Sequence, residues 1–223
     1  MNPDLPLRPV DAEPHSETMP VGPSYRPLGT WARELTIPAG IESRSSFRQW
    51  FGETVVTLME EAVRDFGEGL KGVSGFNTAE LDRITTSFWL LVHESIPNAV
   101  CYGLAGLTSE ERLSALSLTE DPGIDQLVAD RLTESSASPR TGAVSYLLFP
   151  DRIEFTIHDG TRFEDFAARW ARAPEAVLEE NLCRPCGRGL FLIQSSGFAA
   201  EQAPSGAITF TAKLSDLAAP PRD

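Results

Sequence analysis

At 223 residues the chain is long enough for one sizeable domain and short for two. Hydrophobic residues make up 41% of it, enough to build a core, which excludes disorder throughout. The formal net charge of -13 repels nucleic-acid phosphates and no basic patch offsets it, so direct DNA or RNA binding is not expected.

No run reaches the ~18 apolar residues that a bilayer crossing needs. The opening MNPDLPLRPVDAEP has neither a basic n-region nor an apolar h-region, so the cytoplasm is the expected location. Cys101, Cys183 and Cys186 are an odd and small set that does not suggest a disulfide scaffold.

Residues 1–34 hold many of the prolines and little periodic apolar pattern, and they read as a flexible tail. Order is expected to begin at the strand-like run Glu34-Leu35-Thr36-Ile37, ended by Pro38-Ala39-Gly40. A helix follows from about Ser43 to Phe66, with Phe47, Phe51, Val55, Leu58 and Ala62 on one stripe. Gly67, Gly69, Gly72 and Gly75 then break the chain into a loop. Asn77 caps a second helix, with Glu80 completing a capping-box pair and Leu81, Ile84, Phe88, Leu91, Val92 and Ile96 forming its apolar face. Pro97 lies inside that helix, removes one backbone donor and is a source of a kink just before Asn98.

Residues 106–142 read as two short surface helices, the first capped by Thr108 with Glu111 and the second preceded by Pro122-Gly123. Ala143 to Phe149 and Arg152 to His158 read as a hairpin around Pro150-Asp151. A polar stretch from Thr161 to Cys186 leads to Gly187-Arg188-Gly189 and a helix from about Leu190 to Ser195. A last hairpin then joins Phe198–Ala203 and Ala207–Leu214 around Pro204-Ser205-Gly206. The expected architecture is α+β, a two-layer sandwich with one mixed, mainly antiparallel sheet and helices on one face. The domain is expected over residues 35–215 with an insertion at 106–142, and residues 216–223 form a C-terminal tail.

Three places carry chemistry. Glu94 and Asn98 are four apart and share one helix face. Their oxygens suit a hard cation such as Mg²⁺, and the carboxylate can take a proton; an ordinary solvated face would show the same spacing. Gly187-Arg188-Gly189-Leu190 opens a helix, where free N–H groups and close backbone approach suit phosphate, although a plain turn has the same letters. Asp159-Gly160 ends a strand, where an acid can accept a hydrogen bond from an exocyclic amine and a glycine lets a base lie close; a simple strand-to-loop turn is the alternative.

Taken in order, these elements resemble the N, G1 and G2 boxes of the GHKL ATPases, and most of all their anti-sigma-factor serine kinases. Glu94 through Asn98-Ala99 is similar to the family's E-x-x-x-N-A. Gly187-Arg188-Gly189-Leu190-Phe191-Leu192-Ile193 is similar to its G-R-G-L-x-L-I. The resemblance implies ATP and Mg²⁺ as ligands, Asn98 holding the metal, and Glu94 orienting or deprotonating the attacking hydroxyl or water. Residues 161–186 would be the lid over the triphosphate, lined by Gly187 and Gly189, with Arg188 or Arg184 near the phosphates. Matching Gly160 and Phe163 to the G1 box puts His158 at the place of the adenine-binding acid, with Asp159 next to it. The implied partners are a sigma factor and an antagonist protein phosphorylated on serine, with a possible homodimer.

A stand-alone histidine-kinase fragment is disfavoured, since no dimerising helical hairpin with a phosphoacceptor histidine precedes the domain, and two other readings stand beside the kinase. One is a catalytically degenerate GHKL-fold module that only holds a partner. The other is a thiol or zinc protein built on Cys183-Arg184-Pro185-Cys186, which would need His158 and a further ligand to converge. His93 reads as a helix-surface or packing residue.

Overall fold

The computed structural model describes residues 26–108, 110–111, 123–134, 140–159, 166–172 and 188–220. Residues 1–25 of the expected tail, together with Gly160, Gly187, Arg184, Cys183 and Cys186, lie outside the described residues.

Strand β1 (Gly29–Ile37) opens the fold. It starts five residues before Glu34, so residues 29–34 belong to the sheet rather than to a tail. Arg33 interrupts the apolar alternation and hides this in the sequence. Its guanidinium lies 5.4 Å from the Trp31 ring centre and 3.4 Å from Glu61, while Trp31 is buried and stacks on Tyr146 at 6.0 Å.

A continuous helical segment follows: α1 (Arg44–Trp50), a π-helical stretch (Phe51–Val56) and α2 (Thr57–Leu70). Ser43 and Ser46 form a reciprocal capping box at its start. Gly67 and Gly69 do not break it. A Cβ on Gly69 would stand 3.2 Å from Leu148 Cδ2, so close approach of the helix to the sheet, not a turn, explains that glycine. Helix α3 (Thr78–Asn98) has the expected cap: the Glu80 amide donates to Asn77 Oδ1 (3.1 Å) and the Asn77 amide to Glu80 Oε2 (2.7 Å). A second π-helical stretch, Ala99–Leu104, continues it.

Helix α4 (Gly123–Glu134) falls in the expected insertion. It is not a loose surface helix, since Val128 and Ala129 are fully buried. Asp125 accepts from Arg48 at 2.5 Å and lies 3.8 Å from Arg44, which ties α4 to α1. At the N-terminal side of the insertion, Thr108 and Glu111 exchange amide-to-side-chain hydrogen bonds as the sequence predicts.

The remaining elements are β2 (Arg140–Leu148), β3 (Arg152–His158), α5 (Phe166–Ala171), α6 (Arg188–Ser195), β4 (Ala199–Gln202), β5 (Ile208–Lys213) and α7 (Leu214–Ala218). The five-stranded sheet has the order β1-β2-β3-β5-β4. Every pairing among the described strands is antiparallel, which corrects the expectation of a mixed sheet. The reason lies in the connections. Tight turns join β2 to β3 and β4 to β5, and Gly206 takes the positive φ (92°) that the second needs. The long helical excursion leaves after Ile37 and returns at Arg140, its direct partner, so β2 runs back along β1.

Alternate residues of β2 and β3, Val144, Tyr146, Leu148, Ile153, Phe155 and Ile157, are buried under the helices. The two-layer arrangement follows from that alternation. Phe88 of α3 is central, with Phe66 at 4.1 Å, Tyr146 at 5.4 Å and Phe155 at 5.8 Å between ring centres. Helix α7 corrects the boundary at 216: Leu214, Leu217 and Ala218 are buried, and Arg83 Nε donates to the Ala218 carbonyl at 2.6 Å. Their spacing of three and four residues makes a short apolar face that docks on α3.

The Tyr146 hydroxyl donates to Asp65 Oδ2 at 2.6 Å. Burial first, then this hydrogen bond and the Asp65 charge, raise the phenol pKa above its ordinary value. The folded chain therefore keeps this proton after the unfolded chain has lost it. Its contribution to stability is present below the unfolded tyrosine pKa of about 10 and is lost as pH rises beyond it. Denaturant unfolding from about pH 8 to about pH 11 should show a falling stability that Tyr146→Phe flattens; an unchanged slope in the variant would mean another group is responsible.

Candidate functional site

The capping box at Asn77 and Glu80 fixes the phase of α3, and its apolar stripe, Ile84, Phe88, Leu91, Val92 and Ile96, turns one side to the sheet. Glu94 and Asn98 fall beside that stripe and are half-buried. Pro97 does not end the helix. The backbone continues through Asn98 and widens into the π-helical stretch, whose exit bond runs from the Ala105 amide to the Val100 carbonyl (2.8 Å). A proline in a helix frees a carbonyl one turn back, and the π register takes over immediately after it.

Helix α6 packs on this end of α3. A Cβ on Gly189 would lie 2.6 Å from Glu94 Oε2 and 3.5 Å from Asn98 Nδ2, so only glycine fits there without displacing the carboxylate. Two sequence motifs more than ninety residues apart thus meet: the Glu94/Asn98 face and the start of the G-R-G-L helix. Arg188 is the first residue of α6, Leu190 is half-buried on it, and Ile193 inserts into the core.

Asp159 follows the last residue of β3 and is 8% exposed. It keeps the strand alternation of Ile153, Phe155 and Ile157 and so faces the helix layer. His158 falls on the other side: its ring is partly exposed, and Nε2 lies 3.3 Å from the Ser205 carbonyl in the β4–β5 turn. The structure therefore separates these two candidates. Asp159 joins the helix-side residues, and His158 does not. The carboxylate of Asp159 lies against Gly103 of the second π-helical stretch, where a Cβ would stand 2.1 Å from Oδ2 and 2.2 Å from Cγ. On the backbone side, a Cβ on Gly142 would stand 2.8 Å from the His158 carbonyl oxygen and 3.3 Å from Asp159 Cα.

Gly103 and Gly142 are site residues that the sequence reading missed. Gly103 had a signal, because it lies five residues after Asn98 on the same continuous helical segment. Gly142 had none, because its contact depends on strand register. Of the expected lid, α5 is described: Phe166 is buried, and Trp170 meets Phe210 at 6.0 Å. The Gly160, Gly187 and C-x-x-C expectations lie outside the described residues. His93 stacks on Trp89 at 4.2 Å, and its pKa is lowered by burial against the opposing pull of Glu60 and Glu94.

No cluster of three or more His, Cys, Asp or Glu side chains among the described residues could hold a metal ion. No helix among the described residues is long and apolar enough to cross a membrane. No known family model matches the chain, and no curated protein matches it.

Proposed function

We propose that the chain is an ATP-binding domain of the GHKL type, an anti-sigma-factor-like serine protein kinase that phosphorylates an antagonist protein and sequesters a regulatory partner. The observation that carries the reading is the convergence of Gly189 on Glu94 and Asn98, with Asp159 buried against the segment that continues from Asn98. Three motifs read separately in the sequence lie at one end of the helix layer. They are an acid and an amide on a helix, a glycine at a helix start and an acid at a strand end.

Phosphoryl transfer asks for positioning and charge neutralisation. Asp159 would accept a hydrogen bond from the exocyclic amine of the base. The free N–H groups at the start of α6 would face the phosphates. Asn98 would hold Mg²⁺ on the triphosphate, where the metal supplies neutralisation of the phosphate charge. Glu94 would take the serine proton as the serine oxygen bonds to the γ-phosphorus and ADP leaves. A second reading, a module that holds its partner without catalysis, is favoured by one feature. Gly189 packs directly on the Glu94 carboxylate, the group that has to meet the acceptor hydroxyl.

Titration calorimetry with ATP, with and without Mg²⁺, on the wild type and Asn98→Ala tests the proposal. Mg²⁺-dependent binding that the variant loses is the expected result, with about 2.7 kcal/mol of stabilisation at one hundred times the dissociation constant. No heat and no thermal shift up to about millimolar ATP would leave the partner-holding module.

A further inference from the structure

Asp159 is held between two walls that come from distant parts of the chain. One is the backbone of Gly103 at the end of the second π-helical stretch, and the other is Gly142 near the start of β2. Such a socket needs something to keep its walls in place, because helix ends carry carbonyls with no partner inside the helix and fray readily. A side chain of β2 links the two. Arg140, the first residue of β2, donates from Nη1 to the carbonyl of Leu104, the residue after Gly103 and the last of the π-helical stretch. Arg140 and Gly142 are two apart in the same strand, so they point to the same face. The guanidinium crosses the turn at Gly106, whose φ of 71° brings the chain back under it, and a Cβ there would lie 3.5 Å from Nη1. The backbone of Arg140 is anchored in turn, as the direct partner of Ile37 in β1.

The geometry points to Arg140 as the positioning residue of the Asp159 socket: by tying the Leu104 carbonyl to β2 it holds Gly103 against the carboxylate and sets the selectivity of the site for an adenine-type base. This rests on the nucleotide-binding reading above. Arginine suits the task because a charged donor to a carbonyl is stronger than a neutral one. Its hydrogen bond goes to the Leu104 carbonyl, beyond Gly103, so its effect is expected on base recognition and not on Mg²⁺ dependence.

The test compares wild type, Arg140→Ala and Arg140→Lys by native-state amide exchange, and by titration with Mg-ATP and Mg-GTP. In Arg140→Ala the amides of Ala105 and Leu107, which bond to Val100 and Cys101 across this turn, should exchange about tenfold faster or more, while amides in the middle of α3 keep their protection. ATP affinity should fall about tenfold with GTP affinity nearly unchanged, and Arg140→Lys should recover much of both. Unchanged exchange at Ala105 and Leu107 overturns the proposal. So does faster exchange with an intact preference for ATP over GTP, or loss of protection throughout the domain in both variants. Should the wild type bind neither nucleotide, the nucleotide-binding reading itself fails and takes this inference with it. Should the wild type bind ATP and Arg140→Ala bind it equally well, only the role of Arg140 fails.

Discussion

Replacing Gly103 with alanine should cut ATP affinity by about a hundredfold while the sheet stays folded. The added methyl would need the space now filled by Asp159, at 2.1 Å from Oδ2, 2.2 Å from Cγ and 2.4 Å from Cβ, and contacts that short do not occur. Either the carboxylate swings away or the π-helical stretch retreats. The first removes a charged hydrogen-bond acceptor from the proposed base site, and the second moves Leu104 off Arg140. Overpacking of this kind typically costs about 1–3 kcal/mol of stability, well within what a domain tolerates. Calorimetric titration gives the affinity, and circular dichroism with urea unfolding shows whether the fold persists. A folded Gly103→Ala protein with wild-type affinity would mean that Asp159 has no part in nucleotide binding.

Phe88→Ala tests the core rather than the site. Phe88 is fully buried and meets Phe66, Tyr146 and Phe155, so it joins α3 to both α2 and the centre of the sheet. Deleting a buried phenyl ring typically removes ~3–5 kcal/mol, the sum of lost transfer energy and the cavity left behind. Against a usual total of ~5–15 kcal/mol this is a large fraction. The urea midpoint should fall with little change in slope, because the surface exposed on unfolding is nearly the same. A loss below about 1 kcal/mol would mean that the ring's neighbours collapse into the space.

Most of the secondary structure was legible because it is written in local terms. The Asn77/Glu80 and Thr108/Glu111 capping boxes, the 152–158 strand and the turn at Pro204-Ser205-Gly206 each depend on residues a few positions apart. The errors came where tertiary contact overrides local preference. Gly67 and Gly69 look like breakers, yet Gly69 is a contact glycine against Leu148. Arg33 hides the first half of β1 because its partners, Trp31 and Glu61, are set by packing. Leu214, Leu217 and Ala218 are too short a run to read as a helix until α3 is there to receive them. The expectation of a mixed sheet arises because sequence alone does not say to which end the helical excursion returns.

The candidate site divides in the same way. Glu94, Asn98 and Gly189 were found from spacing and from motif resemblance, and they lie together. His158 and Asp159 are both candidates from sequence because adjacent residues at a strand end cannot be separated without knowing which face is covered. The burial of Ile153, Phe155 and Ile157 shows which face is covered, and Asp159 lies on it. Gly142 and Arg140 were invisible because each acts through register, across a gap of more than thirty residues from the helix it touches.

The π-helical stretch after Asn98 changes how motif spacing should be counted in this chain. Along an α-helix the residue stacked above Asn98 would be Tyr102, four positions on, and a phenol would point where the Asp159 carboxylate lies. In a π turn the stacked position is five residues on, which is Gly103. The wider turn thus swaps a bulky ring for bare backbone without any change of residue type. A chain of the same fold that stayed α-helical here would need its glycine one position earlier, and the two sequences would align only with a gap between asparagine and glycine.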